Sequence, residues 1–240
     1  MKNFTLVAVF ILAGAAAIAQ NPKVINDANA QKRTVGDFHG VAIHSGIDLY
    51  LSQGGDEAVA VSASDPEVRD RIVTEVRDGV LNIYLDDKFH WDWGWHNRKL
   101  KAYVSCKALD QLMASGGSDV YIDQSIKSPK LDLHLSGGSD LHGKMEIGEL
   151  KVGQSGGADV YLSGTATQLY VHVSGGSDFH GYDLATDDCH AQASGGSDVY
   201  VTVNKELDAT ASGGSDIHYK GSGSIKESHT SGSGSVSKKD

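Results

Sequence analysis

Leu131-Asp132-Leu133-His134-Leu135-Ser136-Gly137-Gly138-Ser139-Asp140-Leu141-His142 holds the unit that decides how this chain folds. Its centre, Ser-Gly-Gly-Ser-Asp, begins at Ser115, Ser136, Ser155, Ser174, Ser194 and Ser212, at spacings of 21, 19, 19, 20 and 18 residues. Only the third copy is altered, with Ala158 in place of its second serine. A period of this length marks a solenoid, whose units bury their apolar faces only against their neighbours. Working outward from each copy, the residue three before the first serine is Leu112, Leu133, Val152, Val171, Ala191 or Ala209. The residue five before is Asp110, Leu131, Leu150, Leu169, Cys189 or Leu207, and the one after each aspartate is Val120, Leu141, Val160, Phe179, Val199 or Ile217. These apolar columns alternate with polar ones, which is the pattern of strands with one face buried. Two short strands per unit, joined at the Gly-Gly corner and stacked in register, make an all-β, parallel β-helix. The chirality of parallel crossovers favours a right-handed coil.

The outward columns bear on the length of a turn. Two residues after each aspartate stand Tyr121, His142, Tyr161, His180, Tyr200 and His218, a strict alternation. One copy per turn would stack tyrosine on histidine along one face; two copies per turn would separate a tyrosine face from a histidine face. Nineteen to twenty residues already suffice for a compact turn, so one copy is the preferred reading. The aspartates Asp119, Asp140, Asp159, Asp178, Asp198 and Asp216 would then stack, repelling by roughly 1 kcal/mol per neighbouring pair in water. Backbone N–H groups of each aspartate's own Gly-Gly turn would offset this. The sharper alternative is Ca²⁺ held between neighbouring carboxylates. His142, His180 and His218 are 38 residues apart; stacked imidazoles would suit Zn²⁺ or a pH response. No other cofactor is expected.

The start of the chain reads as a secretory signal. Lys2 is followed by the apolar run Phe4 to Ile18, and Ala17-Ile18-Ala19 fits a small-x-small cleavage site. Residues 1–19 are therefore assigned to a signal peptide, 20–33 to a flexible segment, 34–109 to an irregular β cap or first turns, 110–220 to the repeats and 221–240 to a Gly/Ser-rich tail or thin last turn. No transmembrane segment is expected after cleavage. Beyond the signal, 20 Lys and Arg face 31 Asp and Glu. That acidity excludes nucleic acid as an expected partner, since phosphates need cationic neutralisation. Cys189 sits in an inward column as a small buried residue, and its phase differs from that of Cys106, so a disulfide is not expected.

Within the cap, Asp65-Pro66-Glu67 reads as a short helix start, and Asp78-Gly79 as a hairpin turn ahead of Val80 to Leu85. Phe89-His90-Trp91-Asp92-Trp93-Gly94-Trp95-His96 gathers all three tryptophans of the protein within a polar-flanked loop, 88–98. Trp91, Trp93 and Trp95, with Tyr121, Tyr161 and Tyr200, are the candidate ligand-binding residues, because aromatic side chains stack on sugars or anchor interfaces.

Ser45-Gly46-Ile47-Asp48-Leu49-Tyr50-Leu51, then Val59-Ala60-Val61 and Asp78-Gly79-Val80-Leu81-Asn82-Ile83, resemble the bacterial family called putative auto-transporter adhesin, head GIN domain. The resemblance spans roughly residues 35 to 225. It implies a β-helix, export and adhesion, and brings no catalytic residues.

The expected function is an exported, non-enzymatic module in the periplasm or on the cell surface of a bacterium, holding a cell-envelope glycan or protein. One alternative is a self-associating structural component of the envelope. Another is a carbohydrate-active β-helix enzyme, which would need paired carboxylates breaking the repeat at one turn. The repeated aspartates look equivalent, so catalysis is not expected.

Overall fold

The computed structural model describes residues 27–86 and 99–240. They form a nearly all-β molecule, a parallel β-solenoid of about seven turns. In chain order the elements of the first half are β1 (Gln31–Arg33), β2 (Gly40–Ile43), β3 (Asp48–Gln53), β4 (Ala58–Ser62), α1 (Pro66–Arg69), β5 (Ile72–Arg77), β6 (Val80–Leu85) and β7 (Lys101–Cys106). The repeats supply β8 (Gln111–Ala114), β9 (Val120–Ile122), β10 (Ile126–Ser136), β11 (Leu141–Ser155), β12 (Val160–Gly175), β13 (Asp178–Gly195), β14 (Asp198–Gly213), β15 (Asp216–Lys220), β16 (Ser224–Gly232) and β17 (Ser235–Lys238).

Register follows the columns of the sequence. Leu112 pairs with Leu133, Leu133 with Val152, Val152 with Val171, Val171 with Ala191 and Ala191 with Ala209. All six are buried, and one Ser-Gly-Gly-Ser-Asp copy therefore makes one turn. Within β11 the inward residues are Leu141, Met145 and Ile147, then Leu150, Val152 and Gln154. The alternation resets at Gly148, where a Cβ would stand 2.4 Å from the Pro129 carbonyl oxygen of the turn before. The corner there is close backbone packing, and only glycine fits it.

The Ser-Gly-Gly-Ser-Asp corner requires its first glycine for a different reason. Gly137 has φ +66, and the equivalent Gly116, Gly156, Gly175, Gly195 and Gly213 also lie in the left-handed region. That conformation strains any residue with a Cβ.

Chain order and spatial order differ in the first half. Strand β2 lies between β6 and β8, parallel to both, and β3 lies between β7 and β9. The β2–β3 turn is thus a regular turn of the solenoid, and the chain then detours to build the end beneath it. Residues 34–109 therefore hold both a regular turn and the cap, with the turn first in the chain. The cap proper is antiparallel: β5 on β6, β4 on β7 and β1 on β4. Antiparallel partners close edges that would otherwise offer unpaired backbone groups. Gln31–Arg33, assigned to a flexible segment, is held as a strand because β4 presents an open edge there.

Local signals in this region act as their chemistry dictates. The Asp65 side chain accepts a hydrogen bond from the Glu67 N–H at 2.8 Å and caps α1. Asp78 and Gly79, at φ 51 and 77, make the hairpin between β5 and β6. At the far end, β16 and β17 stack on β14 and β15 as a thin last turn, and β16 is exposed along its length. Cys106 and Cys189 are free and buried, and burial pushes the Cys106 thiol up to about 11. Among the described residues no helix is long and apolar enough to cross a membrane. Residues 1–26, with the signal assignment, lie outside the described residues.

Candidate functional site

Each corner delivers its aspartate to the same line along the solenoid. The Asp140 N–H donates to Asp119 Oδ1 at 3.3 Å, Asp159 N–H to Asp140 Oδ1 at 3.3 Å and Asp178 N–H to Asp159 Oδ1 at 3.0 Å. Asp198 N–H reaches Asp178 Oδ1 at 2.8 Å, and Asp216 N–H reaches Asp198 Oδ1 at 3.3 Å. The carboxylates therefore serve the next turn, and not their own Gly-Gly corner as expected from the sequence. In-register stacking points each carboxylate along the axis, at the N–H of the corner above.

Polar groups inside the corners are met by the second serine of the motif. Ser118, Ser139, Ser177, Ser197 and Ser215 are fully buried. Ser197 Oγ accepts the Ser194 N–H at 3.2 Å and lies 3.0 and 3.2 Å from the Ser194 and Val173 carbonyl oxygens. Where Ala158 lacks the hydroxyl, Ser177 Oγ accepts the Gly157 and Ala158 N–H groups, and Gln154 Nε2 donates to the Ala158 carbonyl at 2.8 Å. Gln154, the polar exception in an apolar column, spends its amide on this corner, with Nε2 also donating to the Asp178 carbonyl at 2.9 Å.

Two residues past each aspartate, the rings form one continuous stack. It runs Tyr103, Tyr50, Tyr121, His142, Tyr161, His180, Tyr200, His218, with neighbouring centroids 4.4 to 5.9 Å apart. Tyrosine alternates with histidine along one face, as one copy per turn requires. The separate stack of imidazoles considered for Zn²⁺ does not occur, because Tyr161 stands between His142 and His180 and Tyr200 between His180 and His218. Among the described residues no three His, Cys, Asp or Glu side chains gather to hold a metal ion.

Stacking also changes what the tyrosines can do. Both faces of Tyr121, Tyr161 and Tyr200 are covered by neighbouring rings, so they present edges and hydroxyls to solvent. The Tyr200 hydroxyl donates to Asp198 Oδ2 at 3.3 Å, and Tyr121 approaches Asp119 Oδ2 at 3.5 Å. Burial, then the flanking carboxylates, push the phenols of Tyr121, Tyr161 and Tyr200 up, so they remain donors. Tyr161 is the most exposed of them, at 38%.

Three members of these ladders were not singled out from the sequence. Leu49 pairs with Val120 and Tyr50 with Tyr121, which sets Asp48 over Asp119 and extends both columns. The signal was present: Asp48-Leu49-Tyr50 repeats the aspartate, apolar, tyrosine order of Asp119-Val120-Tyr121. Tyr103 gave no such signal, since its corner is absent. Burial, then the nearby Asp119 charge, hold the Asp48 carboxyl above the usual carboxylate range, and burial with Asp119 and Asp159 does the same for Asp140.

A second surface lies on the strands that precede the corners. Its outward column runs Met113, His134, Gly153, His172, Gln192, Thr210. Gly153 leaves a gap in that column, and an open groove of roughly 690 Å³ runs over it. Trp91, Trp93 and Trp95 lie outside the described residues.

These features define a class: a parallel β-solenoid with one glycine corner per turn, bearing aligned carboxylate and ring ladders. The chain belongs to the family described as putative auto-transporter adhesin, head GIN domain, whose model matches residues 37–223. It is similar in structure to a putative adhesin from Bacteroides fragilis, with TM-score 0.79 and 22% identity over 88% of this chain and 96% of that one. A putative adhesin from Parabacteroides merdae matches with TM-score 0.69 and 18% identity, over 88% and 95% of the two chains. A putative lipid binding protein from Parabacteroides distasonis matches with TM-score 0.68 and 20% identity, over 88% and 96%. A comparison with curated proteins finds no match.

Proposed function

We propose that this chain is an exported, non-enzymatic binding module of the bacterial envelope, and that the ring and carboxylate strip is its main contact surface. The observation that carries this reading is the unbroken alignment of Asp48, Asp119, Asp140, Asp159, Asp178, Asp198 and Asp216 beside the stacked rings. Repetition of one chemistry along an axis suits an extended partner, whereas catalysis needs one turn unlike the rest. Carboxylates beside tyrosine edges favour a cationic partner, such as a lysine-rich segment of an envelope protein. Covered ring faces give little support to sugar stacking on Tyr121, Tyr161 and Tyr200. Family membership and the fold support the adhesive reading.

The test uses a lysine-rich peptide as probe. Asp140→Asn, Asp159→Asn and Asp178→Asn together keep an acceptor oxygen for the next N–H while removing three charges. Peptide affinity should fall on the order of tenfold or more and should weaken with salt. Equal affinity of the triple variant would refute the strip as the contact surface.

A second reading, self-association, is favoured by one observation. Strand β16 pairs with β14 and is exposed throughout, and Ile225 on it is 41% exposed. A dimer whose population rises with concentration and disappears in Ile225→Lys would support it.

A further inference from the structure

The groove over Gly153 differs from the rest of the surface in three ways. The first is its glycine. Gly153 sits mid-strand in β11 and lies outside the positive-φ glycines, so no turn requires it. A glycine there weakens the strand, and such positions commonly mark a close approach to the backbone. A Cβ on Gly153 would stand 2.8 Å from His134 Nδ1, so the missing side chain lets the His134 ring lie across the strand.

The second is charge. The chain is strongly acidic, with 31 Asp and Glu against 21 Lys and Arg, yet Asp132 is the one carboxylate among the groove's described lining residues. Facing it are Lys151, His44, His134, His172 and His190. Their partners are specific. His134 Nε2 lies 3.5 Å from Asp132 Oδ1, His190 Nδ1 lies 3.0 Å from Asp208 Oδ2, and Lys151 Nζ lies 3.6 Å from Glu149 Oε1 and 5.9 Å from the centre of the Tyr170 ring. His44 Nδ1 is 2.6 Å from Ser115 Oγ, and burial holds its pKa below the ordinary imidazole value.

The third is shape. The groove crosses the turns of β8, β10, β11, β12 and β13, about 19 Å at the spacing of stacked strands. Hydroxyls of Ser136, Ser155 and Ser174 edge it. A long, open, hydroxyl-edged channel with a glycine floor and imidazoles on both sides suits a chain of hydroxyls and spaced anions.

We infer that the Gly153 groove binds an acidic polysaccharide, with His134 and His172 contacting its carboxylates from either side of the glycine. This surface is separate from the carboxylate strip, and the inference does not rest on that reading. Protonation of His134, His172 and His190 strengthens binding as pH falls, against the opposing charges of Asp132, Asp208 and Glu149 and alongside Lys151.

The full chain is titrated with polygalacturonate and with neutral dextran at about pH 5.5 and about pH 7.5, either side of the ordinary imidazole pKa of about 6.5. Polygalacturonate should bind on the order of tenfold tighter at the lower pH, and dextran should not bind. Gly153→Gln places in the gap a side chain that the same column already carries at Gln192, and should abolish binding while the melting temperature holds or rises. His134→Ala, His172→Ala and His190→Ala together should remove most of the pH dependence. The Asp140, Asp159, Asp178 triple variant, with three fewer negative charges, should bind polygalacturonate at least as tightly as the parent, which separates this surface from the strip. No binding by the parent at either pH, undiminished binding by Gly153→Gln, or equal binding of dextran would each overturn the inference.

Discussion

At the scale of single residues, the serine buried in each corner carries more weight than its exposed neighbour. Ser197 is fully buried, supplies an acceptor to Ser194 N–H and lies within hydrogen-bond reach of the Ser194 and Val173 carbonyls. Ser197→Ala should cost about 1–3 kcal/mol in urea unfolding, the usual penalty for orphaning buried polar groups. Gly153 should behave in the opposite sense. Its backbone is ordinary strand and the atom nearest a new Cβ is on a movable His134 ring, so Gly153→Thr should gain about 0.5–1 kcal/mol. A stability gain at a residue proposed to bind ligand is the pattern expected where function, rather than folding, holds the glycine in place. The cysteines offer a third check. Burial of Cys106 and Cys189 and their raised thiol pKa values predict no reaction with a thiol reagent near pH 8 until the chain unfolds. Prompt labelling of the native protein would contradict the buried placement of both columns.

At the scale of elements, the two glycines of a corner are unequal. A Cβ on Gly156 would stand 3.2 Å from the Gly137 nitrogen of the turn before, whereas nothing lies within 4 Å of one on Gly157. Both have positive φ. Gly156→Ala should therefore cost more than Gly157→Ala, and Gly157→Asn should be the mildest, since asparagine tolerates the left-handed region. Thermal melts of the three variants rank them directly; a reversed order would mean that corner stacking does not limit the first position. Strands and the hairpin were legible at this scale. Alternation in Val80–Leu85, and Asp78-Gly79 ahead of it, each act within a few residues. The direction of the aspartate hydrogen bonds was not legible. It depends on how far one corner sits above another, which no single corner encodes.

At the scale of the molecule, stacking identical turns sums their charges as well as their contacts. Asp48 and Asp140 hold protons more tightly in the folded chain than carboxyls in the unfolded one, by burial first and adjacent aspartates next. The folded state then binds more protons between the two pKa values, so their contribution makes stability rise as pH falls from neutral toward about pH 4. Asp48→Asn should raise stability near pH 7 and flatten that part of the profile, measured by urea unfolding at several pH values. If the variant were less stable at neutral pH, the hydrogen bonds along the column would outweigh its repulsion. The spatial order of turns also belongs to this scale. Ile47 N–H bonds Ser118 Oγ across 71 residues, because the β2–β3 turn stacks on a corner that the chain reaches only after building the cap.

Periodicity alone established that this chain winds into a solenoid, which residues face inward, and that tyrosine and histidine alternate from one copy to the next. Each of those properties repeats once per turn and survives any reordering of the turns. Three-dimensional packing was needed for the rest: that the β2–β3 turn lies second rather than first, that ring faces are covered by their neighbours, and that a glycine in one column opens a groove. Those outcomes come from contacts between turns, whose energies depend on distant residues meeting in register, and local pattern carries no record of which distant residue arrives.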